Sequence, residues 1–246
     1  MNDPLLPTSH GPDGFLSPAA LANGTYRILR IDMPFRQVEP PPCHTEREGR
    51  WVRPGKFPHY RAGYQLSFWG DAQLNFLFLT DIQPMVQRIR ARPEYLDWYD
   101  GAAWRKHAPD FEVRTVLGDV YVDIEPDARF GRPKTEARTA ALSEQLAKRG
   151  IQYRCLRAKP LGAQPRLDRA KLVCSYARSR LAEIELRAIY RAVPDRGANP
   201  LDVAATCGLE PKLCLGGLLH HVWHGRLVLD ERGQISFGSI FRPAEG

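Results

Sequence analysis

The chain has 246 residues, of which 43% are hydrophobic and 26% are charged, and its formal net charge is +7. This length and composition are sufficient for a full hydrophobic core divided between two modest domains, and no apolar run in the sequence is long enough to span a membrane. The excess of positive charge favours a polyanionic partner such as DNA. Five cysteines without a paired framework and an N-terminus without an apolar signal segment predict a cytoplasmic protein.

Residues 1–60 are rich in proline, glycine and arginine, and only residues 26–33 are predicted as a strand. We therefore expect this segment to be an N-terminal arm. Basic and aromatic side chains are interleaved along it and just beyond its end: Arg27, Arg30, Arg36, Arg47, Arg50, Trp51, Arg53, Lys56, His59, Tyr60 and Arg61. Two roles are open for the arm. It either follows a DNA backbone or wraps around its own domain or a partner subunit.

An α/β domain is predicted over residues 61–160. Its predicted elements, in chain order, are a helix over 66–80, strands over 94–99 and 111–124, a helix over 135–149 and a strand over 151–156. This order of elements predicts a mixed sheet flanked by helices. Prolines and a glycine in residues 157–168 indicate a boundary before a second domain over residues 161–246.

Three carboxylates fall on a predicted hairpin of the first domain. Asp110 opens the apolar-alternating segment 111–116, and Asp123 and Glu125 lie two residues apart in the returning segment. Residues two apart in a strand point to the same face, so we expect the three acidic side chains to converge at one end of a small sheet. Carboxylates in such an arrangement can hold Mg²⁺ or Mn²⁺. The alternative is a solvated hairpin whose polar face is acidic.

The second domain is predicted as a winged helix, with helices over 181–193, 201–206 and 211–224 followed by a β-hairpin of residues 227–229 and 234–237. Such a module often places its third helix in the major groove of DNA. Candidate DNA-binding residues on this domain are Lys212, His220, His221, His224, Arg226 and Arg232, and Arg88 and Arg90 of the first domain are added to them. Because winged helices frequently bind protein, a docking role stays open.

A zinc site is a rival interpretation of the same region. Cys207 and Cys214 lie near His220, His221 and His224 in the sequence. The paired Cys-x-x-Cys that nucleates most structural zinc sites is missing, and spacing along the third helix already explains Cys214 and His220. The sequence therefore favours helix packing over zinc.

The Pro109–Asp110 pair, the hairpin and the triplet Asp123–Ile124–Glu125 resemble the signature of the PD-(D/E)xK nuclease superfamily. Within it, the chain is similar to the TnsA-like endonucleases of heteromeric DNA transposases. The residues that carry this likeness are the helix segment 68–77, Val86, Arg92–Pro93 and the segment LLHHVWHGRLVLD at 218–230. The resemblance extends over roughly residues 55–240.

The resemblance implies a restriction-endonuclease-like fold with a C-terminal winged helix. It also implies metal-dependent cleavage of DNA strands at transposon ends, with Asp110 and Asp123 as ligands of Mg²⁺ or Mn²⁺. Glu125 is then a ligand or a general base, and Gln73 orients water or metal. Members of this family work with a partner transposase subunit and an AAA+ ATPase regulator, so the same partners are expected here.

Two residues depart from the family pattern. Gln73 stands where the family has a glutamate, and Glu125 stands where it has the lysine that positions water and steadies charge on phosphate. Asp71 and Lys134 are the neighbours considered as a replacement ligand and a replacement cation. Two functions therefore stay open: an active endonuclease subunit, or a catalytically inactive scaffold that binds DNA and partner transposase or defence proteins. A transcriptional regulator that uses only the winged helix leaves the acids unexplained.

Overall fold

The computed structural model describes residues 54–229 and 233–244 in full, together with the backbone of residues 36–37. These residues form two units. We call residues 36–37, 54–80 and 85–163 the first unit, and residues 81–84, 164–229 and 233–244 the second unit.

The first unit contains most of the strands. Its elements in chain order are β1 (Arg36–Gln37), β2 (Pro54–His59), β3 (Tyr64–Trp69), α1 (Gly70–Asp81, whose last residue belongs to the second unit), β4 (Val86–Ala91), β5 (Leu96–Tyr99), β6 (Trp104–His107), β7 (Phe111–Thr115), β8 (Gly118–Glu125), α2 (Pro133–Ala147), β9 (Gln152–Arg157) and a 3-10 turn (Lys159–Gly162).

The central sheet has four strands in the order β4-β7-β8-β9. Strands β4, β7 and β8 are antiparallel neighbours, and β9 runs parallel to β8. The register of the β7–β8 hairpin places Phe111 opposite Val122 and Thr115 opposite Gly118. Smaller sheets are formed by β1-β3-β2 and by the β5–β6 hairpin.

A helix packs on each face of the central sheet. On one face, Phe76 of α1 stacks on Phe111 of β7 with ring centroids 5.2 Å apart. On the other face, Leu142 and Leu146 of α2 form a buried cluster with Tyr121 of β8. The predicted mixed sheet flanked by helices is therefore confirmed.

The hairpin β2–β3 covers the outer edge of β4. The backbone N–H of Ile89 donates to His59 Nε2 at 3.2 Å, and the Tyr64 hydroxyl donates to the Ile89 carbonyl. Both His59 and Ile89 are fully buried. Because these outward backbone groups are already paired, this stretch of the edge cannot serve as a template for another strand.

The second unit is mainly helical. Its elements are α3 (Arg166–Ser175), α4 (Glu183–Arg191), α5 (Pro200–Cys207), α6 (Pro211–Trp223), β10 (Leu227–Leu229) and β11 (Phe241–Pro243). Helix α5 begins after Asn199, whose side-chain oxygen accepts hydrogen bonds from two backbone N–H groups of the first turn. Strands β10 and β11 are antiparallel.

The predicted helix over 66–80 was wrong in its first turn. Residues up to Trp69 belong to β3, and α1 begins at Gly70. Tyr64, Leu66 and Phe68 are buried at every second position, which is strand periodicity. Gly70 has a φ of 78°, a left-handed conformation that lets the chain turn from strand to helix.

The predicted arm over 1–60 was wrong at its C-terminal end, because residues 54–59 form β2. Pro54 and Pro58 obscured this strand in the sequence, but β2 is an edge strand, where a missing N–H costs little. Lys56, assigned to the arm, donates to Ser67 Oγ of β3 at 2.7 Å. The backbone of residues 36–37 forms β1, parallel to β3. The rest of the predicted arm, including the strand 26–33, lies outside the described residues.

The predicted C-terminal hairpin was wrong in its second strand. Strand β10 pairs with β11, with Leu229 opposite Phe241, and not with residues 234–237. Phe241 is fully buried. Residues 236–239 instead make a turn in which Ser236 N–H donates to Ser239 Oγ at 2.9 Å. A buried aromatic residue thus decides the pairing over proximity in sequence.

The predicted linker over 157–168 was wrong in part, since α3 begins at Arg166. Its buried residues Leu167, Ala170, Val173 and Cys174 have helical spacing. Pro165 at the helix N-cap position made the segment resemble a loop.

Across the part of the chain that the structure describes, no helix is long and apolar enough to cross a membrane.

Candidate functional site

The three predicted acids lie at one end of the central sheet, and we call Asp110, Asp123 and Glu125 the acid cluster. Tyr121, Asp123 and Glu125 occupy every second position of β8. The two acids therefore share with Tyr121 the face that α2 covers. Their exposed fractions are only 2% and 5%. Asp110 immediately precedes β7, and its backbone N–H donates to Asp123 Oδ1 at 3.1 Å. The hairpin therefore brings the backbone of Asp110 to Asp123, whereas the Asp110 carboxylate is held by Gln73 of α1, the helix on the other face of the sheet. The expected convergence of all three carboxylates stays a prediction.

Both carboxylate oxygens of Asp110 accept hydrogen bonds from the protein. The side-chain amide of Gln73 donates to Oδ1 at 2.7 Å. The backbone N–H of Ile124 donates to Oδ2 at 2.8 Å. Asp110 therefore ties α1 to strand β8.

Gln73 is held from both ends of its amide group. Its Oε1 accepts from the backbone N–H of Trp69 at 2.8 Å while its Nε2 donates to Asp110. A glutamate at this position has no N–H to donate and would bring a second negative charge to Asp110. The amide thus fits the observed contacts better than a glutamate would.

Asp123 has a donor on each oxygen. Its Oδ1 accepts from Asp110, and its Oδ2 lies 2.6 Å from His107 Nε2 on β6. The hydroxyl of Tyr153 on β9 also donates to Oδ2, and the guanidinium of Arg138 on α2 lies 3.4 Å from it. Four structural elements therefore converge on this one carboxylate.

The protonation of this group follows from its partners. Burial by itself raises the pKa of Asp123, but the hydrogen bond and charge of His107 and the charge of Arg138 outweigh it and hold the pKa below its usual range. Burial and the Asp123 charge raise the pKa of Tyr153, which keeps its hydroxyl protonated as a donor. Asp123 is therefore an anion paired with protein donors.

Glu125 pairs with the same arginine. Nη2 of Arg138 donates to Glu125 Oε1 at 2.6 Å, and the arginine side chain is 15% exposed. Burial alone would lower the pKa of Arg138, but the charges of Asp123 and Glu125 outweigh burial and raise the pKa above its ordinary value. The guanidinium therefore stays charged. The second oxygen, Glu125 Oε2, is buried without a hydrogen-bond partner, and so is Arg138 Nε.

The arrangement does not fit a Mg²⁺ ion as it stands. Mg²⁺ requires near-octahedral oxygen ligands at short distance, whereas the oxygens of Asp110 and Asp123 accept hydrogen bonds from protein donors. The Arg138 guanidinium also bridges Asp123 and Glu125. Within residues 54–229 and 233–244, no group of three or more histidine, cysteine or acidic side chains is placed to hold a metal ion.

Sequence reasoning missed three members of this network: His107, Arg138 and Tyr153. A signal for Arg138 exists, since it lies four residues before Leu142 and eight before Leu146, the two buried residues of α2. A period of four keeps all three on one helix face. Arg138 was therefore detectable as a cation on an otherwise apolar face.

The two neighbours considered as replacements lie elsewhere. Asp71 is exposed in the first turn of α1, where Gln73 rather than Asp71 reaches Asp110. Lys134 is exposed near the start of α2, whereas Arg138, one turn later, makes the contact with Glu125. The replacement cation is thus on the predicted helix but at a different residue.

The candidate DNA-binding residues of the second unit differ in exposure. His224 and Arg226 are exposed, and Lys212 and His220 are partly buried. His221 is 1% exposed, and its Nε2 donates to the Leu186 carbonyl at 2.8 Å. His221 is therefore a packing residue whose ring cannot reach DNA. Arg232 lies outside the described residues.

Arg88 and Arg90 lie beside each other on β4 and share one buried acid. Glu112 of β7 is 4% exposed and lies 3.5 Å from Arg88 and 3.0 Å from Arg90. The arginine side chains are 35% and 38% exposed. They can therefore present guanidinium edges to solvent while Glu112 fixes their positions.

The cysteines of the rival zinc set are packing residues. Burial raises the pKa of the Cys214 thiol to about 11, and Cys214 is fully buried in α6. Cys207, at the end of α5, also has its pKa raised by burial.

Comparison of the chain with protein-family models and with curated proteins finds no match. The geometry of the acid cluster and the surfaces around it is therefore the basis for a functional conclusion.

Proposed function

We propose that this chain is a nuclease-fold subunit of a TnsA-like DNA transposition machinery that binds DNA and partner proteins without cutting DNA itself. A mixed sheet with clustered acids at one end and a helix on each face supports a restriction-endonuclease-like first unit. Helices α4, α5 and α6 followed by the β10–β11 hairpin support a winged helix in the second unit.

The observation that carries the non-cutting role is the set of donors around the acid cluster. Gln73 donates to Asp110, and Arg138 bridges Asp123 and Glu125. In a cleaving site, these oxygens coordinate a metal ion, and a lysine stabilises the negative charge on the phosphate. Here the two residues that depart from the family pattern, Gln73 and Glu125, each have a side-chain partner in the protein. These contacts are consistent with a cluster that stabilises the fold.

DNA is the partner that the charge distribution supports. The chain has a formal net charge of +7, and exposed or half-exposed cations are present in both units at Arg88, Arg90 and Arg226. Cations of this kind contact phosphates and make affinity fall with salt. A transposase subunit or an AAA+ regulator would dock on the remaining surfaces.

A salt titration tests the DNA-binding role. Fluorescence anisotropy of a labelled duplex is measured with the intact protein between about 50 mM and 200 mM salt. We expect the logarithm of the affinity to fall linearly with the logarithm of salt concentration. Arg88→Gln and Arg226→Gln should each reduce the slope by about one. Arg187→Gln, an exposed cation paired within α4, is the matched control. Affinity that is absent or insensitive to salt contradicts the proposal.

Metal-dependent cleavage is the second candidate, and one atom favours it. Glu125 Oε2 is buried without a partner, which leaves an oxygen ligand available. Supercoiled DNA is incubated with the protein and with Mg²⁺ or Mn²⁺, in the presence of the products of its neighbouring genes. Nicking that disappears in Asp110→Ala supports cleavage. Intact plasmid with the wild-type protein supports the scaffold.

A further inference from the structure

Arg138 reaches the acid cluster from α2 and contacts two of its members. Its Nη2 lies 2.6 Å from Glu125 Oε1 and 3.4 Å from Asp123 Oδ2. The arginine side chain is 15% exposed, and those of Asp123 and Glu125 are 3% and 7% exposed. The guanidinium is thus a buried cation between two buried anions.

Two buried carboxylates cannot both stay ionised at close range without a positive charge beside them. Removal of one partner from a buried ion pair leaves an uncompensated charge, which is strongly unfavourable. In this chain the compensating charge comes from α2, since Glu125 occupies the family's lysine position. Arg138 therefore does electrostatically what a bound cation does.

Arg138 does not satisfy every polar atom of the buried pocket formed by Asp123 and Glu125. Glu125 is 95% buried, and its Oε2 accepts no hydrogen bond. Arg138 Nε is also buried without a partner. One carboxylate oxygen of the pocket thus remains unused by the guanidinium, and unused oxygens are what a hard divalent cation binds.

We propose that the Arg138 guanidinium and a divalent cation are mutually exclusive occupants of one pocket, and that Arg138 keeps the ion out. Positive charges at this separation repel each other strongly in a buried site. Removal of the guanidinium therefore uncovers a site for Mn²⁺ or Mg²⁺ on Asp123 and Glu125, the two carboxylates that Arg138 contacts. The inference deepens the proposed scaffold function by explaining how acids persist without cleavage.

Metal uptake is measured by titration calorimetry on the intact protein with MnCl₂, in the absence of DNA. We expect the wild type to show no saturable uptake at millimolar metal. Arg138→Met, which keeps a long apolar stem but removes the charge, should bind one Mn²⁺ at least about tenfold more tightly. Adding Asp123→Asn to that variant should abolish the uptake. Arg149→Met is the matched control, because Arg149 pairs with the single carboxylate of Glu94.

Thermal unfolding supplies a second readout that does not depend on activity. Arg138→Met should melt below the wild type without metal, and Mn²⁺ should raise its melting temperature while leaving that of the wild type unchanged. Arg138→Gln, a second uncharged variant, should behave in the same way.

Three results would overturn the proposal. In the first, the folded Arg138 variants take up no more Mn²⁺ than the wild type does. In the second, the wild type takes up Mn²⁺ as tightly as the variants. In the third, neither variant folds even with millimolar Mn²⁺, although the ion should replace the missing charge. Absence of DNA binding would instead count against the scaffold function alone, since no DNA enters these measurements.

Discussion

At the residue scale, the oxygens of Asp110 and Asp123 each have a donor, whereas Glu125 Oε2 is buried without one. Gln73 uses both ends of its side-chain amide: the oxygen accepts from the Trp69 N–H, and the nitrogen donates to Asp110. A carboxylate can only accept. An amide at position 73 is therefore what the surrounding hydrogen bonds require.

Gln73→Glu should destabilise the protein by about 1–3 kcal/mol, because Asp110 loses a donor and gains a negative neighbour. Urea denaturation at neutral pH measures the change in free energy of unfolding. Gln87→Glu, the same substitution at an exposed position of β4, should change it by less than about 0.5 kcal/mol. Equal effects at the two positions would refute the role assigned to Gln73.

Asp123→Asn should cost about 3 kcal/mol or more at neutral pH, because Arg138 and His107 lose a buried anion. The pKa of Asp123 is lowered in the folded protein, so its contribution is present above the pKa of an unfolded aspartate, about 3.9. It is lost as pH falls through the folded value. The stability gap between wild type and variant should therefore shrink in acid. A gap that stays constant from neutral pH to strong acid would contradict this prediction.

At the element scale, α6 is the core of the second unit, and its approach to α4 depends on a glycine. A Cβ at Gly217 would lie 2.5 Å from Ile189 Cδ1, which is far inside van der Waals contact. Glycine is normally unfavourable inside a helix by about 1 kcal/mol relative to alanine. Close packing of the two helices therefore outweighs helix propensity at this position.

Gly217→Ala should destabilise the protein by about 1–3 kcal/mol despite its better helix propensity. Ile189→Val removes the Cδ1 atom that the new methyl group would meet, so the double variant should recover part of the loss. The free energy of unfolding of both single variants and the double variant is measured in urea. A stabilised Gly217→Ala protein would show that α4 and α6 are not packed this closely.

The same helix carries a pH-dependent contribution to stability. Burial lowers the pKa of His221 and of His220, although each has a backbone carbonyl partner that opposes the shift. The unfolded chain therefore binds more protons than the folded chain below about pH 6.5. Stability should be full above that pH and should fall as pH drops below it.

Thermal unfolding between about pH 8 and pH 5 measures this decline. His221→Gln keeps a donor for the Leu186 carbonyl but cannot be protonated, so its decline should be smaller than that of the wild type. A steeper loss in His221→Gln would reverse the predicted sign.

At the scale of the whole molecule, the second unit is not contiguous in sequence. Residues 81–84 group with residues 164–246. The side chain of Asp81 is buried and accepts from Trp223 Nε1 at 2.8 Å and from Cys174 Sγ at 3.8 Å. A division of the chain into 61–160 and 161–246 leaves this carboxylate out of the helical unit.

Asp81→Ala should therefore destabilise the intact chain by about 1–3 kcal/mol, because the buried indole N–H of Trp223 loses its acceptor. Asp97→Ala, at an exposed position of β5, is the control. A fragment of residues 161–246 should melt at a lower temperature than the same unit in the intact protein. A fragment with unchanged melting temperature would show that Asp81 contributes nothing to this unit.

The fold was predictable in its periodic parts. Helix α2 and strand β9 were predicted to within two residues at each end. Strand β2 and helix α3 were missed because proline at or near their first residues resembles loop sequence. Whether such a segment is ordered depends on neighbours that local sequence does not contain.

For the candidate site, the sequence by itself determined that Asp123 and Glu125 share one face of β8, because residues two apart in a strand point to the same face. Only the tertiary structure decided what lies among them. Arg138 comes from a helix that follows β8, and His107 from a separate hairpin. Charge compensation in a buried pocket depends on which elements fold over it, and that depends on the packing of distant apolar residues rather than on the spacing of the acids.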